Sequence, residues 1–359
     1  MKNIINYIIV LILWSCTNQT SIEKPLRYSG FHIENPQYCY GEEINSSFGF
    51  TFPSEILLTD SLIIVMSPEG SSQILHLFEK SSGQHITSIG SKGRGPGEVI
   101  MPEAMCIDKN NLLSVYDGQF GKIVTYDLTK AIRKEPYVNE DINISKYTNS
   151  LNSQFYSETA QKLGSDFIVK GRSNTTRFLK INEHNATLLT ETIPRIVEDS
   201  EENNAIWSFS SKWKIKPDSK KIVIGTYIGG VMQIADINSY GIRSDTLLAF
   251  EKPIYKIVDG AKPKWITHTK ETVFGFEDIS VTNDYIYAIK SNPYFNTEKG
   301  DKTYVYVIDW NGIKRGVLSF DNWIYCGVVD DTNSTFYALA EKEDNYVLMK
   351  YNIKENSNN

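Results

Sequence analysis

Gly93-Arg94-Gly95-Pro96-Gly97-Glu98 is a dense turn-forming stretch near the start of the chain. It closes the segment 90–98, which contains four glycines and one proline. Such a segment cannot propagate a helix, and it allows a tight, partly left-handed backbone path. Short runs of β-type residues lie on both sides, and the run KIVTYD that follows at 122–127 alternates with period two. We therefore interpret the segment as a corner between one small sheet and the next.

Copies of a repeated unit lie on both sides of this corner. Each copy has an apolar run, a polar turn, a β-branched or aromatic strand, a variable gap and a second strand that ends near Asp or Asn. Six copies can be traced, the third more weakly than the others, with corresponding turns at 59–61, 109–111, 217–220, 282–284 and 330–333. Their spacing of about 50 to 65 residues is typical of propeller blades. The pattern predicts an all-β fold, a six-bladed β-propeller with blades of four antiparallel strands.

The last copy offers only three good strands. An open sheet would leave hydrogen-bonding edges exposed, so we expect the ring to be closed by an N-terminal strand. The candidates are the segments Phe31 to Tyr40 and Ile44 to Phe50.

The string GSKGRGPGEV at 90–99, followed by LLSVYDGQFGKIVTYDL at 112–128, resembles the inter-blade signature of the TolB-like, NHL-like six-bladed β-propeller lipoproteins of Gram-negative bacteria. The match is specific in the core Gly93 to Glu98, whereas the other copies are degenerate. The resemblance implies the fold and a location in the cell envelope. It implies no reaction.

The N-terminal sequence predicts export and attachment to a membrane. A weakly basic start precedes an apolar run from Ile4 to Leu13, which has the length of a signal-peptide core and is too short to span a bilayer. The run ends in Leu13-Trp14-Ser15-Cys16, which resembles a lipobox with Cys16 as the acylated residue. An ordinary cleaved signal peptide or a buried strand is the alternative. We expect an outer-membrane lipoprotein that faces either the periplasm or the cell surface.

These features divide the chain into four parts. Residues 1–16 form a lipoprotein signal peptide, 17–30 a linker, 31–354 the propeller and 355–359 a disordered tail. The net charge of −6 and the pI of about 5.5 argue against a nucleic-acid partner, which would need a basic face. The basic cluster at 212–216 is interpreted as a strand with solvated lysines on its outer face. We expect a monomer.

Few residues suggest catalysis. None of the five histidines has a metal-ligand spacing such as HExxH, and no GxSxG motif is present. The glycines of the corner are not followed by the Lys-Ser/Thr of a phosphate loop. We predict no metal and no other cofactor. After Cys16 the remaining cysteines are Cys39, Cys106 and Cys326, which are expected to be buried thiols unless Cys39 and Cys326 form a disulfide.

Two functional classes remain open. The first, which the scarcity of histidines favours, is a non-enzymatic binding or scaffold module for a protein, peptide or glycan of the envelope. The second is a propeller hydrolase or lyase of the lactonase or glycosidase type, with a metal in the central channel. Three tryptophans in or beside long inserts, Trp207, Trp213 and Trp265, are candidate ligand-face residues, or they pack between blades. The inserts are 134–155, 195–205 and 249–272, and the last is expected to be partly helical or to cover the ring.

Overall fold

The computed structural model describes most of the chain after the N-terminal segment. The described residues are 26–148, 155–172, 176–182, 185–209, 211–238, 240–258, 260, 264–290, 302–342 and 345–354. The predicted signal peptide with Cys16, the linker up to residue 25 and the tail 355–359 lie outside them. No helix of the described part is long and apolar enough to cross a membrane.

The described chain forms six small sheets, numbered here as blades I to VI. Two N-terminal strands, which join the last two blades, precede the first sheet: β1 (Gln37–Cys39) and β2 (Gly41–Phe50). Blade I consists of β3 to β6 (Glu55–Leu58, Leu62–Met66, Gln73–Glu79, His85–Ser91). Blade II consists of β7 to β10 (Pro102–Ile107, Leu112–Asp117, Lys122–Asp127, Val138–Asn143). Blade III consists of β11 to β14 (Tyr156–Leu163, Asp166–Arg172, Phe178–Ile181, Ala186–Leu188).

The second half of the chain repeats this arrangement. Blade IV contains the short β15 (Thr190–Glu191) and β16 to β19 (Ser211–Ile215, Lys221–Thr226, Val231–Ile237, Gly241–Ala249). A separate hairpin follows, formed by β20 (Lys256–Val258) and β21 (Trp265–Thr267). Blade V contains β22 to β25 (Asp278–Val281, Tyr285–Lys290, Thr303–Asp309, Lys314–Phe320). Blade VI contains β26 to β28 (Trp323–Val329, Thr335–Lys342, Asn345–Asn352).

The ring is closed by the N-terminal strand β2. It pairs antiparallel with β28, with Gly41 opposite Tyr351 and Glu43 opposite Met349, and so supplies the fourth strand of blade VI. The first strand of every blade contacts the first strand of the next, including β26 against β3. The predicted six-bladed all-β propeller closed by an N-terminal strand is therefore confirmed. The other candidate segment, Phe31 to Tyr40, instead contributes β1, which adds to blade V as a fifth, parallel strand beside β25.

The hydrophobic core lies between neighbouring blades. The second strand of each blade is mostly buried, as in β4, where all five residues are buried. Side chains of blade I pack on those of blade II in one cluster, which includes Ile64, Leu75, Val115 and Tyr126. Because each blade buries its faces only on its neighbours, the centre of the ring is left for polar groups.

The antiparallel order gives the ring two distinct faces. Turns that join first to second and third to fourth strands emerge at one end, which we call the turn face. The other end is the connection face. It carries the links from second to third strands and the links from the fourth strand of one blade to the first strand of the next. Three short helices lie in these links: α1 (Leu128–Ile132) on the turn face, and α2 (Ser145–Thr148) and α3 (Ser200–Phe209) on the connection face.

The long inserts differ in part from expectation. Helix α3 lies in and beyond the 195–205 insert, and Asp199 caps it by accepting a hydrogen bond from the Glu202 N–H at 3.0 Å. The described part of the 249–272 insert contains the hairpin and no helix. Lys264 Nζ lies 2.9 Å from the Asp199 carboxylate, so the hairpin is held against α3.

Candidate ligand-binding channel

The centre of the ring is a cavity of about 1340 Å³ that opens on the turn face. All six first strands line it, together with the turns that follow them. One lining residue from each blade in order is Glu55, Met105, Lys162, Lys214, Asp278 and Val329. A ligand in this cavity can therefore contact residues of all six blades.

An ion pair crosses the channel. Lys214 of blade IV contacts Glu55 of blade I, on the opposite side of the ring, and both side chains are less than one-fifth exposed. Glu55 also accepts a hydrogen bond from the Met105 N–H at 2.7 Å. Burial lowers the pKa of Lys214, but the Glu55 and Asp278 carboxylates outweigh it, so the pKa is raised overall. Lys214 therefore stays a cation.

Asp278 completes this charged layer. Burial raises the pKa of its carboxyl above the ordinary range, although Lys214 and Lys212 act in the opposite direction. The same carboxyl group accepts hydrogen bonds from the Ile279 and Gly327 N–H groups, at 2.9 and 3.3 Å. The floor of the cavity is thus built from groups that already have partners.

Neighbouring first strands are linked by polar side chains as well. Lys162 Nζ of blade III lies 3.3 Å from the Asp108 carboxylate of blade II. Gln161 donates to the Trp213 carbonyl at 2.7 Å and accepts from the Ile215 N–H at 3.1 Å, which joins blades III and IV. These bonds hold the wall of the channel in one arrangement.

A cleft extends the cavity outward between blades II and III. Its wall is mainly apolar, and it is lined by Ile107, Ile142, Tyr147, Phe167 and Ile181. Exposed charged residues surround the mouth, among them Asp60, Lys109, Glu140 and Asp331. None of these four forms an ion pair with any other described residue. The mouth thus combines an apolar cleft with charges that can pair with a ligand.

The glycine-rich signature has an architectural role. The Glu98 carboxylate accepts from the Gly95 N–H at 2.7 Å, which closes the loop on itself. Gly97 has a φ of +71° and donates to the Asp141 carboxylate at 3.0 Å. Its carbonyl accepts from the Tyr126 hydroxyl at 3.0 Å. The loop is thereby tied to the outer strands of blade II.

The other signature residues agree with this role. Gly93 sits so close to Glu98 that a Cβ would lie 2.1 Å from the carboxylate. Arg94 and Pro96 are exposed, and Arg94 has no ion pair within the part of the chain that the structure describes. The signature lies in the link from blade I to blade II, and none of its residues lines the cavity.

The three candidate tryptophans have different surroundings. Trp207 is fully buried, and its indole N–H donates to the Pro194 carbonyl at 2.8 Å. Trp213 is buried against Phe178. Both therefore have the inter-blade packing that was the alternative to a ligand role. Trp265 is 48% exposed on the hairpin. None of the three lines the cavity.

The described histidines and cysteines form no metal site. Within the described residues, no three His, Cys, Asp or Glu side chains are placed to hold a metal ion. His76 and His85 both contact the Ser88 hydroxyl, at 2.8 and 3.0 Å. The three described cysteines are free thiols. Cys39 lies in the outermost strand of blade V and Cys326 in the innermost strand of blade VI, so the two are at opposite edges of their sheets.

Sequence reasoning missed the residues of the channel. Lys214 lies in the 212–216 cluster, which was interpreted as a strand with solvated lysines on its outer face. The structure makes that strand the innermost strand of blade IV, and Lys214 is paired inside the channel. The alternation of Lys212, Lys214 and Lys216 with Trp213 and Ile215 was the available signal, because it places the lysines on one face of the strand.

A closed ring of six sheets around an open-mouthed channel defines a six-bladed β-propeller. The chain belongs to the family described as TolB-like 6-blade propeller-like, whose model matches residues 39–332. No curated protein shows significant sequence similarity to it.

Solved structures with similar folds come from several bacteria. A member of the DUF4221 family from Bacteroides vulgatus is 10% identical, with a TM-score of 0.60 and coverage of 87% of this chain and 96% of that one. A "Putative exported protein" from Bacteroides fragilis is 13% identical, with a TM-score of 0.54 and coverage of 88% and 94%. Regucalcin from Agrobacterium tumefaciens, described as a calcium-binding protein, is 8% identical, with a TM-score of 0.53 and coverage of 90% and 98%. Identities this low support the shared fold alone.

Proposed function

We propose that this chain is a lipid-anchored protein of the cell envelope whose propeller binds a peptide or protein segment at the mouth of its channel. The lipobox-like sequence ending in Cys16 supports the anchor. The family membership and the fold shared with the Bacteroides fragilis protein described as a "Putative exported protein" support the compartment. The binding role rests on the geometry of the cavity.

The apolar cleft beside the charged mouth is the observation that carries the proposal. Pockets for small molecules usually have volumes of about 300 to 1,000 Å³. This cavity, at about 1340 Å³, exceeds that range and continues into the cleft between blades II and III. A ligand that fills it must present apolar groups to Ile142 and Phe167 and charged groups to Lys109 and Glu140. A polypeptide segment offers both kinds of group along one chain.

The paired floor of the channel favours binding over chemistry. The Lys214–Glu55 pair of the floor and the Lys162–Asp108 pair of the wall are already formed, so they offer a ligand a fixed surface. A rigid site loses little conformational entropy when a ligand binds. The mouth therefore acts as a preorganised receptor.

A peptide selection against the Cys16→Ser chain tests the site. Peptides that bind the wild-type surface are then titrated against Ile142→Lys, which places a charge in the cleft. Losing one buried apolar contact of about 1.5 to 3 kcal/mol weakens binding by about 10- to 150-fold. Tyr240→Lys, at a residue that is 83% exposed and does not line the cavity, is the matched control. Peptides that bind Ile142→Lys as tightly as wild type would place the binding site elsewhere.

Anchoring is tested separately by labelling cells with an alkynyl fatty acid. The wild-type chain should incorporate the label and Cys16→Ser should not. Cys39→Ser, at a buried thiol, should incorporate as much label as wild type. Equal labelling of the Cys16→Ser chain would refute acylation at this cysteine.

A further inference from the structure

The first described residues lie against the connection face, beside blade IV. The Ser29 N–H donates to the Ala249 carbonyl at 2.9 Å, and the Gly30 N–H donates to the Phe250 carbonyl at 2.7 Å. Leu26 packs on the apolar cluster of blades III and IV. The chain thus enters the propeller where the link from blade IV to the hairpin begins.

The length of chain between this point and the proposed anchor is short. Leu26 is ten residues after Cys16. Ten residues span at most about 35 Å when fully extended. An acylated Cys16 would therefore keep the entry point on the connection face within about 35 Å of the bilayer.

The same face displays large apolar side chains. Val258 and Trp265 are directly opposite each other in the hairpin, and they are 43% and 48% exposed. Ile254, just before the hairpin, is 42% exposed. Further exposed apolar residues at this face are Phe52, Met101 and Phe120 in links, and Tyr156 at the start of β11. Tryptophan and tyrosine, whose rings carry both an apolar body and a polar group, are enriched at the membrane interface.

The hairpin is held in a fixed position. Lys264 pairs with Asp199 of the segment that caps α3, and the Tyr255 hydroxyl donates to the Glu202 carboxylate at 2.7 Å. Lys252 and Lys256 remain exposed, with stems long enough to reach lipid headgroups. The apolar residues of the hairpin are therefore presented on an element that is bonded to helix α3.

We propose that the connection face rests on the bilayer, with Ile254, Val258 and Trp265 in the interfacial layer, so that the mouth of the channel points away from the membrane. This orientation rests on the proposed acylation of Cys16. It leaves the cavity open to peptides and proteins of the envelope, because the mouth lies on the opposite face of the ring.

Quenching by brominated lipid tests the orientation. The full, acylated chain is purified from membranes and reconstituted into phosphatidylcholine vesicles with or without dibrominated acyl chains. A fluorophore is attached through an azidophenylalanine at Val258 or, as the control, at Asp331 on the mouth. The acylation state of the same preparation is measured by mass spectrometry of its N-terminal peptide.

The expected result is quenching at least twofold stronger at position 258 than at 331. Acylated protein with equal quenching at both positions, with stronger quenching at 331, or with none at 258 overturns the orientation and leaves the anchor intact. A preparation without acyl chains overturns both the anchor and the orientation. A hairpin that is instead a site for another protein would be unquenched in these vesicles, which also counts against the proposal.

Discussion

The buried ion pair between Arg177 and Glu191 should be a major determinant of stability. The Arg177 side chain is 1% exposed and the Glu191 side chain 0% exposed. Arg177 Nη2 lies 2.8 Å and Nε 3.1 Å from Glu191 Oε2, and Nη2 also lies 2.8 Å from Gln233 Oε1. The guanidinium stacks on Trp207, 4.9 Å from the ring centroid. The pair thus links blades III and IV under helix α3.

Glu191→Ala should lower the free energy of unfolding by about 3 to 5 kcal/mol, because it leaves a buried cation without its anion. That is a large share of the roughly 5 to 15 kcal/mol of a typical domain. Equilibrium unfolding in urea gives the value. The matched control is Glu198→Ala, since Glu198 pairs with Arg195 through side chains that are 94% and 54% exposed. Removing that pair should change stability by less than about 1 kcal/mol.

A double variant separates the pair from the packing around it. Arg177→Met combined with Glu191→Leu removes both charges and keeps much of the volume, so it should recover the part of the loss that comes from the unpaired cation. The backbone N–H of residue 177 and the Thr176 hydroxyl lose the Glu191 carboxylate as an acceptor in both variants. A loss below about 1 kcal/mol for Glu191→Ala, or a double variant no more stable than the single one, would refute the reasoning.

Three further predictions concern pH, a turn and the closure of the ring. Burial lowers the pKa of His76 from 6.5 to about 4, so between these pH values the imidazole binds a proton in the unfolded chain and not in the folded one. The free energy of unfolding should therefore fall by up to about 3 kcal/mol as the pH drops from 6.5 to 4. In urea titrations, His76→Gln should make the free energy of unfolding depend less on pH over this range. Gly97→Ala should cost about 1 to 3 kcal/mol, because φ is +71° and a Cβ would lie 2.8 Å from a neighbouring side chain, whereas Gly316→Ala, with nothing within 4 Å of its Cβ, should cost less than 1 kcal/mol. Removing residues 1–50, which takes away β1 and the closing strand β2, should abolish cooperative unfolding in calorimetry, whereas a control chain lacking only 1–25 should still unfold cooperatively. A chain lacking 1–50 that unfolds cooperatively would contradict the role given to β2.

The fold could be predicted because its signals are local and repeated. Each blade carries apolar strands, period-two alternation and polar turns, and the corner 90–98 marks a junction between blades. The need for ring closure also pointed to an N-terminal strand. Which segment supplies it could not be decided, because 31–40 and 44–50 are similarly strand-like. The choice depends on the distant partner strands β25 and β28.

The candidate site could not be predicted for a related reason. Glu55 and Lys214 are 159 positions apart, and they meet only because blades I and IV face each other across the ring. Tryptophans were chosen for their usual role at surfaces, yet the packing between blades buries Trp207 and Trp213. Exposure is set by which strand becomes innermost, and that follows from the order of strands in the sheet rather than from residue type.

Photo-crosslinking in cells tests the binding role of the mouth most directly. A benzoylphenylalanine is introduced at Lys109, which is exposed at the mouth, or at Tyr240, which is 83% exposed on the same face but outside the cavity. The proposed function predicts discrete light-dependent adducts from position 109 that disappear in the Ile142→Lys background, and none of these adducts from position 240. Identical adducts from both positions, or adducts from 109 that survive Ile142→Lys, would contradict a binding site at the mouth of the channel.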